Sequence, residues 1–160
     1  QGYAKLRAGD VDFARLYLTK VQKAAATSKQ NFRGHEASKL LGVVGNILDG
    51  EILRYLGDKK GALAKFEEAV KHDDAIEYDE PEPLPFDARH WLGAMQLDAE
   101  MAAAAEATYR KELEEHPHNG WSLLGLKQAL EAQGKPTGDV AAQLEKAWAR
   151  SDTWVRASRF

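Results

Sequence analysis

Apolar residues recur at three- and four-residue steps along most of the chain, the period of a helix with one buried face. Val11, Ala14, Leu18 and Val21 follow Gly9-Asp10 in this way, which predicts a helix to about residue 27 capped by Asp10. The few residues before Gly9 read as the end of an earlier helix. After a polar link over 28–34, a long helix is predicted over 35–56. Its apolar set (Leu40, Leu41, Val43, Val44, Ile47, Leu48, Ile52, Leu53, Leu56) is too broad for one exposed stripe, so neighbours should cover it on two sides. Gly42, Gly45 and Gly50 each cost about 1 kcal/mol relative to alanine inside a helix, a cost that makes sense where another backbone comes close.

Gly57-Asp58 is a stop followed by a cap, and the next helix carries Ala62, Leu63, Phe66, Ala69 and Val70 on one side. Pro81, Pro83 and Pro85 then break the pattern and predict an extended, polyproline-like strap. A helix resumes near Phe86, turns near Ala99 and Glu100, and continues from Ala102 to Glu115, where Pro117 closes it. Asn119 can cap a helix to about Gln133. After the turn at Gly134-Lys135-Pro136-Thr137-Gly138, Asp139 helps to cap a last helix whose buried side is Val140, Leu144, Ala147 and Trp148. The remaining tail is basic and aromatic, and is expected to pack as a last turn over the end of the helices.

A second, longer period lies on top of the helical one. Ala62-x3-Phe66 and Ala105-x3-Tyr109 match each other, and Ala14-x3-Leu18 is a weaker copy. Gly50 and Gly93 lie sixteen positions before Phe66 and Tyr109, as Gly2 does before Leu18, and Pro117 falls eight after Tyr109. Trp121-x2-Leu124-Gly125 opens a further copy. These residues resemble the tetratricopeptide pattern W-x2-L-G-x2-Y…A-x3-F…P.

The resemblance implies an all-α fold, a helical-hairpin solenoid (an α-α superhelix) of about three and a half hairpins in a single domain over 1–160. A truncated first hairpin would occupy 1–27, a second 35–73, the proline strap 74–85, a third hairpin 86–115, a fourth 119–149 and the tail 150–160. The spacing is irregular: 48 from Leu18 to Phe66, 43 from Phe66 to Tyr109 and 35 from Tyr109 to Leu144, against about 34 in a regular array. Asn46 and Arg89 stand where the pattern has tryptophan, Asp49 where it has leucine, and Glu100 where it has a turn glycine. Tyr78-Asp79-Glu80-Pro81, Arg89-His90-x2-Gly93-Ala94, Ala105-Glu106-x2-Tyr109-Arg110 and Asn119-Gly120-Trp121 resemble the C-terminal part of bacterial tetratricopeptide proteins of unassigned role.

Composition narrows the function by exclusion. A net charge of −3 argues against general nucleic-acid binding, which needs a concentrated basic face. The charge is uneven, with seven basic residues in 1–33 and six acids in 73–82, mostly solvated surface. With no cysteine there is neither a disulfide framework nor a thiolate metal site. No apolar run approaches the ~18 residues of a membrane span, so a soluble protein is expected; its compartment stays open between the cytoplasm and periplasm of the bacterial source that the resemblance implies. The opening at Gln1 rather than methionine points to an excised or processed piece.

No phosphate loop, nucleophile elbow, dinucleotide turn or His-Glu-x2-His motif occurs, so no catalytic residue, cofactor or metal ligand is assigned and the chain is expected not to be an enzyme. His116-Pro117-His118 lacks a third ligand in view and reads as solvent-exposed. Trp121, Tyr109, Phe66 and Trp148 read as core.

In the resembled family, four positions of each first helix face an inner groove. Carried over, they are Val44, Ile47, Glu51 and Arg54, then Asp87, His90, Ala94 and Leu97, then Asn119, Ser122, Leu126 and Ala129. The lysine and asparagine set by which chaperone-binding relatives clamp a terminal carboxylate is missing. The expected work is therefore non-catalytic binding of some other peptide or protein. Ile47, Leu97 and Leu126 would give apolar contact, with Glu51, Arg54, Asp87, Arg89, His90 and Ser122 as polar features. Arg89 and His90 could receive a ligand carboxylate, or instead tie down Asp79, Glu80 or Glu82 in the strap. Arg54→Ala or His90→Ala is expected to weaken binding with little effect on melting. Two other readings are an accessory domain supporting a ligand-binding or enzymatic region before Gln1, and a self-association module using the first hairpin or the tail 154–160.

Overall fold

Three side chains start helices where the sequence places them. In the computed structural model, which describes residues 1–153 and 155–159, Asp10 accepts a hydrogen bond from Phe13 N at 3.2 Å, Asp58 from Gly61 N at 2.8 Å and Asn119 from Trp121 N at 3.0 Å. Each satisfies a backbone donor that the first helical turn leaves open. Among the described residues the chain is mostly helical, with eight helices, and divides into two compact units, Gln1–Ala88 and Arg89–Phe160.

The first unit holds α1 (Gly2–Arg7), α2 (Val11–Thr27), α3 (Ala37–Tyr55) and α4 (Lys59–Asp73), each packed against the next. Its core is Leu6, Ala14, Leu18, Leu48 and Ile52, with Tyr3, Val11 and Tyr17 packed around them. Phe66 of α4 is fully buried with its ring against Gly50 of α3, where a Cβ would stand 2.6 Å from the ring edge. The other two glycines of α3 also admit side chains rather than a backbone: His72 lies on Gly42, and Val21 approaches Gly45. Glycine removes the ridge that would hold the helices apart.

Two departures occur in this unit. The 28–34 link and the start of the expected helix contain a small antiparallel ribbon, β1 (Asn31–Phe32) and β2 (His35–Glu36), so the architecture is not purely helical and α3 begins at Ala37. The strap after α4 has no regular structure, as its prolines require, and Arg33 and His35 of the ribbon hold it. The Arg33 guanidinium donates to Pro81 O at 2.7 Å and Glu80 O at 2.8 Å and pairs with Asp79 at 2.7 Å; His35 Nε2 lies 3.3 Å from the other Asp79 oxygen. Burial pushes the Asp79 carboxyl up, but His35 and Arg33 outweigh it and hold it below the usual range. Ala88 N closes the strap on Asp73 at 2.8 Å.

The second unit holds α5 (Arg89–Asp98), α6 (Ala102–Glu115), α7 (Gly120–Ala132) and α8 (Gly138–Trp148), again packed in chain order, with α5 also touching α7. Ala105, Tyr109, Leu126, Ala129 and Leu130 form its core, flanked by Leu97, Leu113 and Val140. The phenolic end of the buried Tyr109 ring lies against both Gly93 of α5 and Gly125 of α7, tighter than any Cβ there would allow. The turn between α5 and α6 places Glu100 at φ 62, where the repeat pattern has glycine.

The last helix differs from expectation. No residue of α8 is buried: Val140, Leu144 and Trp148 are half-buried and Ala147 is exposed. Its main packing partner is α7. Thr137 rather than Asp139 stands at its N-cap, without a side-chain hydrogen bond. Trp148 meets Trp121 edge to face at 5.5 Å and donates from Nε1 to Gly120 O at 3.1 Å. The two tryptophans are therefore partly exposed braces, whereas Phe66 and Tyr109 are full core residues.

Candidate functional site

The expected groove residues fall into several environments. Ile47 and Leu126 are buried in their units, and Leu97 is half-buried. On α3, Glu51 is 1% exposed and receives Arg54 three residues later through both Nε, at 3.2 Å, and Nη2, at 2.9 Å. Arg54 keeps 25% of its side chain in solvent. Asp87, half-buried, ends the strap two residues before α5, and Arg89 is buried in the first turn of that helix.

His90 and Ser122 come together in the second unit around a carboxylate that sequence reading did not single out. Glu112 is 0% exposed. Asn119 organises the group: its Oδ1 caps Trp121 N, so its amide nitrogen faces inward, donating to Glu112 Oε1 at 2.8 Å and standing 3.2 Å from His90 Nε2. His90 Nε2 lies 3.7 Å from the same carboxylate oxygen, and His116 Nδ1 lies 2.9 Å from it. His116 is thus half-buried against Glu112 rather than simply solvent-exposed, while His118 is exposed. Burial pushes the Glu112 carboxyl up; the neighbouring His90 and Ser122, with His116, outweigh it and hold the group below the usual range. The available signal was position, since Glu112 lies three residues after Tyr109 and shares its buried helical face.

A second cluster closes the end of this unit. Lys135 at 2.6 Å, Gln133 at 2.8 Å and Arg110 at 2.9 Å converge on the carboxylate of Glu106 and hold it down at about 2. Both clusters join helix ends with strong hydrogen bonds, the arrangement of a structural tie.

A concave feature of the second unit lies between α5 and α7. It is a pocket of 400 Å³ lined by Ala94, Leu97, Asp98, Gln128, Glu131, Arg156 and Ala157. Ala94 and Leu97 are two of the expected groove positions; Gln128, Glu131 and the tail residues were not anticipated. Residues 156–159 reach this face, with Ser158 buried, where a last turn over the end of the helices was expected; Trp154 and Phe160 lie outside the described residues. No helix is long and apolar enough to cross a membrane among the described residues. No protein-family profile matches the chain, and no curated protein matches it either.

Proposed function

We propose that the chain is a non-catalytic binding module built of tetratricopeptide-like hairpins stacked as a solenoid, taking a peptide or protein segment on the face of its first helices. Two features support the hairpin reading: Gly50 against Phe66 and Gly93 against Tyr109, each pair at the sixteen-residue spacing of the repeat. Such nests bring the two helices of a hairpin close and leave the first helices side by side. The observation that carries the binding reading is the pocket between α5 and α7, where Ala94 and Leu97 meet polar side chains of α7. A concave, partly apolar site with a few convergent polar groups is the usual form of a ligand site.

The test is selection of peptides from a random library on the folded chain, followed by affinity measurements on Leu97→Ala and Arg54→Ala. Enriched peptides should bind Leu97→Ala about tenfold more weakly, the loss of roughly 1.4 kcal/mol expected of an apolar contact in a site. Peptides whose affinity ignores both substitutions would place binding elsewhere.

A further inference from the structure

The tail lies on the α5/α7 face like a bound ligand. Ser158, 1% exposed, donates its hydroxyl proton to the main-chain carbonyl of His90 in α5 at 2.7 Å. Its only proton being used there, the 2.7 Å contact with Tyr109 has the phenol as donor and Ser158 Oγ as acceptor. Tyr109 belongs to α6, yet its hydroxyl reaches this face because Gly93 and Gly125 present no side chain where its ring lies. Two residues earlier, Gln128 of α7 donates from Nε2 to the main-chain carbonyl of Arg156 at 2.8 Å. One residue later, Arg159 pairs with Asp98 of α5 at 3.6 Å.

These are the elements of peptide recognition: a side chain that holds a backbone carbonyl whatever the residue, a socket with one donor and one acceptor for a hydroxyl, and a carboxylate for a neighbouring base. We infer that the α5/α7 face is a receptor for an extended segment with a hydroxyl residue beside arginine, and that residues 155–159 fill it in cis. This rests on the binding-module reading and gives its ligand a chemistry. Residues 155–159 belong to no helix or strand, and the polar contacts that hold them are worth about 1 kcal/mol each. It also leaves open the adjoining pocket, where Asp98 and Glu131 stand beside Arg156. A partner segment of the same basic, hydroxyl-bearing chemistry enters by displacing it. Tethered at an effective concentration on the order of millimolar, the tail masks the face against weaker competitors.

The probe is an amidated, fluorescein-labelled peptide with the sequence of residues 152–160, followed by anisotropy on the full chain. Ser158→Glu puts a carboxylate in the closed socket, and Arg159→Glu sets like charges at Asp98, so each expels the tail. Both variants should bind the peptide at least about tenfold more tightly than the wild-type chain, because the cis competitor is gone. A peptide with valine in place of Ser158 should lose that binding, and adding Gln128→Ala should weaken it. Circular dichroism melting establishes which variants are folded, and one folded variant suffices to decide. Equal affinity for wild type and a folded variant, no binding to either, or unfolding of both variants overturns the inference, the last by making the tail an indispensable part of the fold. If library peptides bind the Ser158→Glu chain without competing with the tail peptide, the binding module stands and this ligand assignment falls. If neither chain selects any peptide, the binding module itself falls.

Discussion

Tyr109 lies against Gly125 more closely than any side chain at position 125 would permit, and its hydroxyl is held at the same time by Ser158. The ring therefore has little room to retreat. Gly125→Ala should lower stability by up to about 2 kcal/mol, an overpacking cost of about 1–3 kcal/mol less the roughly 1 kcal/mol by which alanine favours a helix. Gly138→Ala, where nothing approaches within 4 Å, should leave the denaturation midpoint unchanged or raise it. Equal midpoints for the two variants in urea would show that the ring yields.

The Glu112 cluster makes a different demand. Glu112→Ala removes the acceptor shared by Asn119 and His116 and should cost about 1–3 kcal/mol, the penalty for donors left without their enclosed acceptor. His90→Ala should also lower the melting temperature, because His90 is enclosed with that carboxylate. A double-mutant cycle between Glu112→Ala and Asn119→Ala should give a coupling above about 0.5 kcal/mol; simple additivity would mean that the two act independently.

Glu106 gives a pH dependence of known sign. Lys135, Gln133 and Arg110 lower its folded-state value to about 2 from an ordinary 4.5. A depressed carboxylate stabilises the fold fully above its unfolded value and loses that contribution as pH falls from about 4.5 toward 2. Wild type should therefore lose more stability than Glu106→Gln between those limits, while the curves run parallel above pH 6. Carboxyl NMR titration of Glu106 with a midpoint near 4 would contradict this.

Glu100 sits at φ 62, a left-handed backbone that costs a side-chain-bearing residue about 1–2 kcal/mol. Glu100→Gly relieves that strain, and the freedom glycine gains in the unfolded chain takes back up to about 1 kcal/mol. The net change should be a gain between zero and about 2 kcal/mol, read as a denaturation midpoint that does not fall. Gly57→Ala, at φ 85, should show the reverse.

What the sequence reveals here is what short-range geometry controls. Asp10, Asp58 and Asn119 cap the helices they precede, and the glycine-to-aromatic interval of sixteen marks the nests of Phe66 and Tyr109, because both depend on helical spacing. The ribbon at Asn31–Phe32 and His35–Glu36 was not legible, since its anchors are Asp79, Glu80 and Pro81, more than forty residues away. Glu112 was hidden among Lys111, Glu114 and Glu115, where a carboxylate reads as solvated; its burial follows from sharing a face with Tyr109. The part played by Ser158 at the α5/α7 face depends on a tail that no periodicity describes.

The two longest departures from regular repeat spacing, the ribbon segment and the proline strap, are clasped to each other through Arg33, His35 and Asp79. They function as one insertion split between two places in the chain. An engineer trimming the chain could not shorten either part alone: cutting the strap strands a guanidinium and an imidazole, and cutting the ribbon strands a carboxylate. Removal of both halves together takes Arg33, His35 and Asp79 out as one set.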